Sequence, residues 1–222
     1  MKQISKDVYQ LALMPRRGIN CYLAEGFLID AGIRSSARNI LHQVADKGVH
    51  THLLTHAHAD HQGSSSVICK QLNIPLWCSE GEKEQAASGD ATGAYRSQQH
   101  IVTQFQKKYW QGSGQEVART IGEGERLGGF TVIETPGHSK GHLSFFRETD
   151  GLLIVGDVLT NMNLVTTITG LHLPPRLFTL DREENIKSIR KLATLKPRIL
   201  CFGHGPVLIN DKGQLQAFAK KV

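Results

Sequence analysis

The stretch Thr55-His56-Ala57-His58-Ala59-Asp60-His61-Gln62-Gly63 sets three imidazoles and a carboxylate within six residues, directly after the short run His52-Leu53-Leu54. Such side chains repel and dehydrate one another unless a cation sits among them, and a solvated loop has no reason to gather them. Imidazole and carboxylate are the ligands that Zn²⁺ takes in catalytic sites, at about 2.0–2.2 Å, with a position left for water. In an extended chain residues i and i+2 project to one side, so His56, His58 and Asp60 are expected to converge. The fold must therefore deliver a strand end to a metal, which points to metal-dependent hydrolysis.

Three later fragments repeat the theme. Phe130-Thr131-Val132-Ile133 leads to Thr135-Pro136-Gly137-His138-Ser139-Lys140-Gly141-His142, and Gly151-Leu152-Leu153-Ile154-Val155-Gly156 ends on Asp157. Ile199-Leu200-Cys201-Phe202 runs into Gly203-His204-Gly205-Pro206. Each reads as a strand that stops in a Gly or Pro turn with a metal-capable side chain at its tip. Strand-end loops are where a rigid scaffold presents chemistry.

With these motifs in hand, the chain resembles the metallo-β-lactamase superfamily of metallohydrolases. Asp30 in Phe27-Leu28-Ile29-Asp30-Ala31-Gly32, the His56 to His61 cluster, His138, Asp157 and His204 match that family's five ordered motifs along the whole chain. The resemblance implies an α+β fold, the four-layer αββα sandwich, over a single domain of residues 1–222. It implies one metal held by His56, His58 and His138, a second held by Asp60, His61 and His204, and Asp157 bridging the two. Two Zn²⁺ ions are expected, with iron or manganese the alternatives that other members use. Asp30 is expected to hydrogen-bond a ligand imidazole or nearby backbone.

Composition agrees without deciding. A chain of 222 residues with 40% hydrophobic content is long enough for one large domain with a sizeable core. Met1 to Asn20 has no apolar stretch suited to a secretory leader, and no run of roughly eighteen apolar residues occurs. The expectation is a cytoplasmic protein without membrane contact. Cys21, Cys69, Cys78 and Cys201 are scattered and read as reduced thiols, not as a disulfide framework or structural zinc site. The net charge of +6 suits an anionic small-molecule substrate. Its basic clusters, Arg16-Arg17, Lys107-Lys108 and Lys220-Lys221, are too short to argue for nucleic acid. A homo-oligomer is compatible with the sequence.

Periodicity places strands at 8–13, 20–24 and 27–30, a helix over 36–47, and a strand at 52–55 that delivers the histidine cluster. Helices follow over 64–72 and 80–88, the second capped by Ser79, around a strand at 75–78. The later part reads as strands at 131–134, 143–147 and 152–155, a helix over 182–195 capped by Asp181, and a strand at 198–202. Two segments stand outside this scaffold. Residues 89–117, with Tyr95, Phe105, Tyr109 and Trp110, read as a helical insertion, where relatives often place a flap over the metals. Residues 159–178, with Asn161, Asn163 and His172, show no clear pattern and form a candidate functional loop. Surface packing or a dimer contact is the competing use of both.

Two cations sharing one solvent molecule lower its pKa toward neutrality, and a cation polarises the substrate carbonyl. Asp60 is expected to orient the attacking oxygen. Either His142 or His172 is a candidate proton donor, with His142 alternatively fixing a ligand through a hydrogen bond. The expected reaction is hydrolysis of an ester, thioester or lactone of a small molecule. A phosphodiesterase or ribonuclease is the alternative. Family β-lactamases usually carry Cys or a small residue where Asp157 stands, which counts against antibiotic hydrolysis.

Overall fold

A computed structural model describes residues 1–93 and 95–222. The first half of the chain contributes strands β1 (Lys2–Ser5), β2 (Val8–Ala12), β3 (Asn20–Ala24), β4 (Phe27–Ile29), β5 (Thr51–Leu53), β6 (Leu76–Cys78) and β7 (Val117–Thr120). They form one sheet in sequential order. Between them run helices α1 (Ala37–Val44), α2 (Ala59–Gln62), α3 (Ser65–Leu72), α4 (Lys83–Ser88) and α5 (Ile101–Tyr109). The second half adds β8 (Arg126–Leu127), β9 (Phe130–Glu134), β10 (Leu143–Arg147), β11 (Leu152–Gly156), a hairpin of β12 (Thr160–Met162) and β13 (Thr169–His172), helix α6 (Arg182–Thr194), β14 (Ile199–Phe202), β15 (Leu208–Ile209) and helix α7 (Gln214–Lys221). The second sheet runs β15-β14-β11-β10-β9-β8.

Period-2 alternation explains why both sheets are covered twice. Along β3, Tyr22 faces the other sheet while Cys21 and Leu23 face the helical layer, and along β11 Leu152 and Ile154 face inward while Leu153 and Val155 face outward. The inward residues meet Ile29, Leu53, Val132 and Phe145 in a core between the sheets. Ile40 and Val44 of α1 and Ile68 of α3 cover the first sheet, and Ile189 and Leu192 of α6 with Leu215 of α7 cover the second. The result is an αββα sandwich.

The local expectations differ from the structure in instructive places. Asp181 caps α6, its Oδ1 accepting from the Glu184 N–H at 3.0 Å. Ser79 makes no such cap: its side chain accepts from no helix N–H, and a 3₁₀ turn, Glu80–Glu82, separates it from α4. In the segment 89–117 the helix is confined to Ile101–Tyr109. The segment 159–178 holds the antiparallel pair β12–β13. Strands as short and polar as Thr160-Asn161-Met162 carry no alternation to read, and only their pairing defines them. All four cysteines are free and buried. Among the described residues no helix is long and apolar enough to cross a membrane.

Candidate metal centre

β5 of the first sheet and β9, β11 and β14 of the second all end at one edge of the sandwich, and the segments that follow them carry the titratable side chains. β11 and β14 are parallel neighbours, with Gly156 in register with Phe202, so Asp157 and His204 emerge side by side. Gly203 lies between them, and a Cβ there would collide with the Asp157 carboxylate.

Three groups converge, each with its ligand atoms within 4.8 Å: His56, His58 and His138; His56, His61 and Asp157; Asp60, His61 and His204. Simple strand alternation does not produce this grouping. His58 is still extended, but the chain turns into α2 at Ala59, which sends Asp60 and His61 away from His58 toward His204. Asp157 Oδ2 lies 2.8 Å from His204 Nε2, 3.4 Å from His61 Nε2 and 3.8 Å from His138 Nε2. It stands at the centre of the set.

Hydrogen bonds around the rim assign the tautomers. Asp30 holds a left-handed backbone, φ +63°, which costs a non-glycine residue on the order of 1 kcal/mol. The turn aims its carboxylate at three donors: the Thr55 N–H at 2.8 Å, the Thr55 hydroxyl at 2.9 Å and His61 Nδ1 at 2.9 Å. Because the single Thr55 hydroxyl proton goes to Asp30, Thr55 Oγ1 accepts from His56 Nδ1 at 3.0 Å. His56 and His61 therefore both turn Nε2 inward. His204 Nδ1 donates to the Gly18 carbonyl, and its Nε2 faces the two carboxylates.

The charges divide sharply. Burial lowers the pKa of His56 and His58 well below the ordinary histidine value, and the neighbouring imidazoles lower it further. Burial brings His138 down to about 4 against the pull of Asp157. Burial also opposes charge on His61 and His204, but the carboxylates of Asp157, Asp30 and Asp60 outweigh it, raising His61 and taking His204 to about 10. Asp60 is held at about 2 and Asp157 well below the usual carboxylate range, because His61 and His204 overcome the desolvation cost.

His56 Nε2, His61 Nε2, His138 Nδ1 and Asp157 Oδ1 are buried and have no hydrogen-bond partner. An orphaned buried polar atom ordinarily costs about 1–3 kcal/mol, and several in one cluster would be prohibitive without a ligand. Neutral imidazole nitrogens and ionised carboxylates are the donor set that a pair of divalent cations takes. The residues fit such a pair.

His142 is fully buried next to this cluster, with both ring nitrogens engaged. Its Nδ1 donates to Thr135 Oγ1 at 2.8 Å and its Nε2 accepts from the Asp157 N–H at 3.0 Å. No ring atom is left to reach a substrate. Burial, and then His138, keeps its pKa low. His172 is not brought to the cluster at all. It lies on β13 paired with Thr160 and lines a different cavity.

Several positioning groups escaped the sequence reading. Glu82 is completely buried, and its two carboxylate oxygens accept from the Ala57 N–H and the Gly141 N–H, each at 2.8 Å. One side chain thus ties the His56–His58 loop to the His138–His142 loop. The Asn20 side-chain amide donates to the Phe202 and Gly205 carbonyls at 3.0 and 2.9 Å, and Tyr22 Oη donates to Phe202 O at 2.8 Å. Together they anchor the His204 turn to the first sheet. A polar residue inside a strand-like or helix-like run gives no signal of such a distant partner.

Above the centre lies a cavity of about 360 Å³. His58, Asp60, His138, Asp157 and His204 form its floor, and Ile19, Tyr95, Val102, Trp110, Met162 and Phe178 supply apolar walls. Tyr95 stands edge-on to His58 at 4.6 Å between ring centroids and packs on Phe178 at 5.2 Å. α5 presents Val102 and Gln106 to this space, and Trp110 follows at its C-terminal end, which makes the insertion one wall of the site. No Lys or Arg lines the cavity among the described residues.

The model of a family described as the metallo-beta-lactamase superfamily matches residues 14–204. The chain belongs to the metallo-β-lactamase superfamily. YflN of Bacillus subtilis, a probable metallo-hydrolase, is 29% identical over 196 residues, covering 80% of this chain and 74% of its own. GloC of Haemophilus influenzae, a hydroxyacylglutathione hydrolase, is 28% identical over 155 residues, covering 69% of this chain and 67% of its own. The solved structure of TTHA1623 in a di-iron-bound form superposes with a TM-score of 0.71 at 26% identity, over 94% of this chain and 96% of that one. As a member of the superfamily the chain is a metallo-hydrolase.

Proposed function

We propose that the protein is a dinuclear metal hydrolase that cleaves an ester, thioester or lactone whose acyl portion is apolar. One observation carries the reading: buried, unpartnered imidazole and carboxylate atoms converge directly beneath a cavity walled by Ile19, Tyr95, Val102, Trp110 and Phe178. His56, His58 and His138 would hold one ion and Asp60, His61 and His204 the second, with Asp157 between them. Zinc is the expected ion, and iron is the alternative that TTHA1623 carries. When bound, the pair supplies a water acidified toward neutrality and a Lewis acid for the substrate carbonyl.

The rest is the work of the chain. Asp60, held ionised, accepts a hydrogen bond from the attacking water and orients it toward the carbonyl carbon. Asp30 and Thr55 hold His61 and His56 in the tautomers that face inward. His142 accepts from the Asp157 backbone and so fixes the turn that carries the central carboxylate. The aromatic and aliphatic walls exclude bulk water and lodge the acyl group. A phosphodiester backbone fits less well, because no cationic side chain lines these walls among the described residues.

Metal-loaded protein assayed against thioester, lactone and bis-p-nitrophenyl phosphate substrates tests the proposal. Turnover of an acyl substrate that is abolished by a chelator is expected. Hydrolysis of the phosphodiester alone would overturn the acyl reading.

A further inference from the structure

The large apolar side chains that the fold leaves in water are concentrated on two segments. Ten are exposed among the described residues, and six of them, Ile101, Val102, Phe105, Tyr109, Val165 and Ile168, lie on α5 or in the turn between β12 and β13. Val165, Ile101 and Ile168, at 88, 80 and 66% exposure, are the most exposed of the ten. Scattered apolar residues on a surface need no explanation, but a gathered set does. On α5, Ile101, Phe105 and Tyr109 recur at i, i+4 and i+8 and form one outward stripe, while Thr103 and Gln106 are buried against the body of the protein. Val102 of the helix and Leu164 and Thr167 of the turn also line the metal cavity, so both segments stand on its rim.

The same rim carries the charge of the molecule. Residues 14–19, 91–115 and 159–180, which supply the cavity walls, contain Arg16, Arg17, Arg96, Lys107, Lys108 and Arg176 and not one Asp or Glu. These six cations equal the whole net charge of +6, since twenty Lys and Arg stand against twenty Asp and Glu in the rest of the chain. Lys107 reaches Asp90 only at 3.9 Å, and Arg16 donates to Thr167 Oγ1 at 2.6 Å. Among the described residues Arg16, Arg17 and Lys108 form no salt bridge.

A nucleic acid would be met by cations and stacking rings, and it would leave Ile101, Val165 and Ile168 without a partner. Cations interleaved with exposed aliphatic and aromatic side chains suit an anionic bilayer surface, where the cations meet headgroups and the apolar groups sink below them. We propose that the outward face of α5 and the β12–β13 turn dock on a lipid bilayer rich in anionic headgroups, with the mouth of the metal cavity turned toward the lipid. The chain lies on the surface and does not span it. No contiguous apolar run announces this contact, because the surface is assembled from two segments distant in sequence. The docking stands independently of the hydrolase reading. Taken with that reading, it lets an apolar acyl substrate pass from the bilayer into the cavity without crossing water.

Co-sedimentation of the metal-loaded protein with vesicles of phosphatidylcholine alone, and of phosphatidylcholine mixed equally with phosphatidylglycerol, tests the docking. Binding at least about tenfold tighter to the anionic vesicles is expected, weakening as salt rises. Ile101→Ser/Phe105→Ser/Val165→Ser keeps every cation, and none of the three side chains lines the metal cavity. This variant should bind the anionic vesicles at least about tenfold more weakly than wild type, with an unchanged midpoint of thermal unfolding. Equal binding by the variant and wild type would show attraction of charge alone and overturn the proposal. So would no binding to either vesicle, or a wild-type dimer that the variant converts to monomer, which would assign the face to a second copy of the chain. Docking without turnover of any acyl substrate would uphold this surface and overturn the hydrolase reading alone.

Discussion

Strands β10 and β11 have two ends, and the two ends treat charge in opposite ways. At the end away from the cavity, Arg147 donates to Glu25 at 2.8 Å and to Asp150 at 2.7 and 3.1 Å, while Ser5 also donates to Asp150 and the Gly129 N–H to Glu25. Arg147, Glu25 and Asp150 each have protein partners there, and the network ties the first sheet to the second. At the other end the same strands carry His142 and Asp157 into a cluster where His56 Nε2, His61 Nε2 and Asp157 Oδ1 are buried with no hydrogen-bond partner. One end is complete as a polypeptide. The other is complete only with cations, which is the difference between a structural ion pair and a functional centre.

The largest effect expected from breaking this contrast is at Asp157. Asp157→Ala should lower kcat by on the order of a thousandfold while the far-UV circular dichroism stays native, because β11 is still packed on both faces. Wild-type turnover in that variant would contradict the central place given to its carboxylate. His204→Ala should separate the two groups of ligands: one metal equivalent is lost in preference to the other, read as metal content per chain. Equal loss of both would show that the groups are not independent.

Glu82 probes how the functional end is held together. Glu82→Ala leaves the Ala57 and Gly141 N–H groups buried and unpaired, and a loss of about 3 kcal/mol in denaturant unfolding is expected, with weaker metal binding. Glu82→Gln, which keeps one acceptor oxygen, should recover part of both. The cavity walls come next. Phe178→Ala should raise KM for apolar acyl substrates by up to about tenfold with little change in kcat, since the ring contributes binding area and no chemistry.

The smallest effect belongs to the complete end. Burial would raise the pKa of Asp150, but hydrogen bonds from Arg147 and Ser5 outweigh it and the value is lowered. Its contribution to stability is therefore fully present above the unfolded carboxyl value of about 3.9 and is lost as pH falls through the lower folded value. After discount for solvent screening this is below about 1 kcal/mol. Asp150→Asn should remove that increment of acid dependence from the unfolding curve and leave metal content untouched.

The contrast also marks what was legible in the sequence. Crowded histidines and strand-terminal Asp157 and His204 announce themselves, because few structural roles explain such residues at Gly-flanked strand ends. The four layers followed from the family resemblance those motifs carry, since the periodicity by itself shows only mixed α and β. Glu82 and Asn20 were invisible, since each acts through backbone groups of loops distant in the chain, and nothing in the local pattern names those partners. His172 was misleading for the reverse reason. Its proximity to Asp157 in sequence is undone by the β12–β13 hairpin, which carries it into the neighbouring cavity. The alternation argument placed His56, His58 and Asp60 on one side, and the onset of α2 redistributed them between two groups.

The unpartnered atoms at the functional end are the centre of the account, and elemental analysis of protein purified without chelator addresses them directly. About two transition-metal ions per chain are expected, with a fall in thermal stability when they are stripped and recovery on their return. Protein that contains none, takes up none in calorimetry and unfolds at the same temperature either way would contradict it.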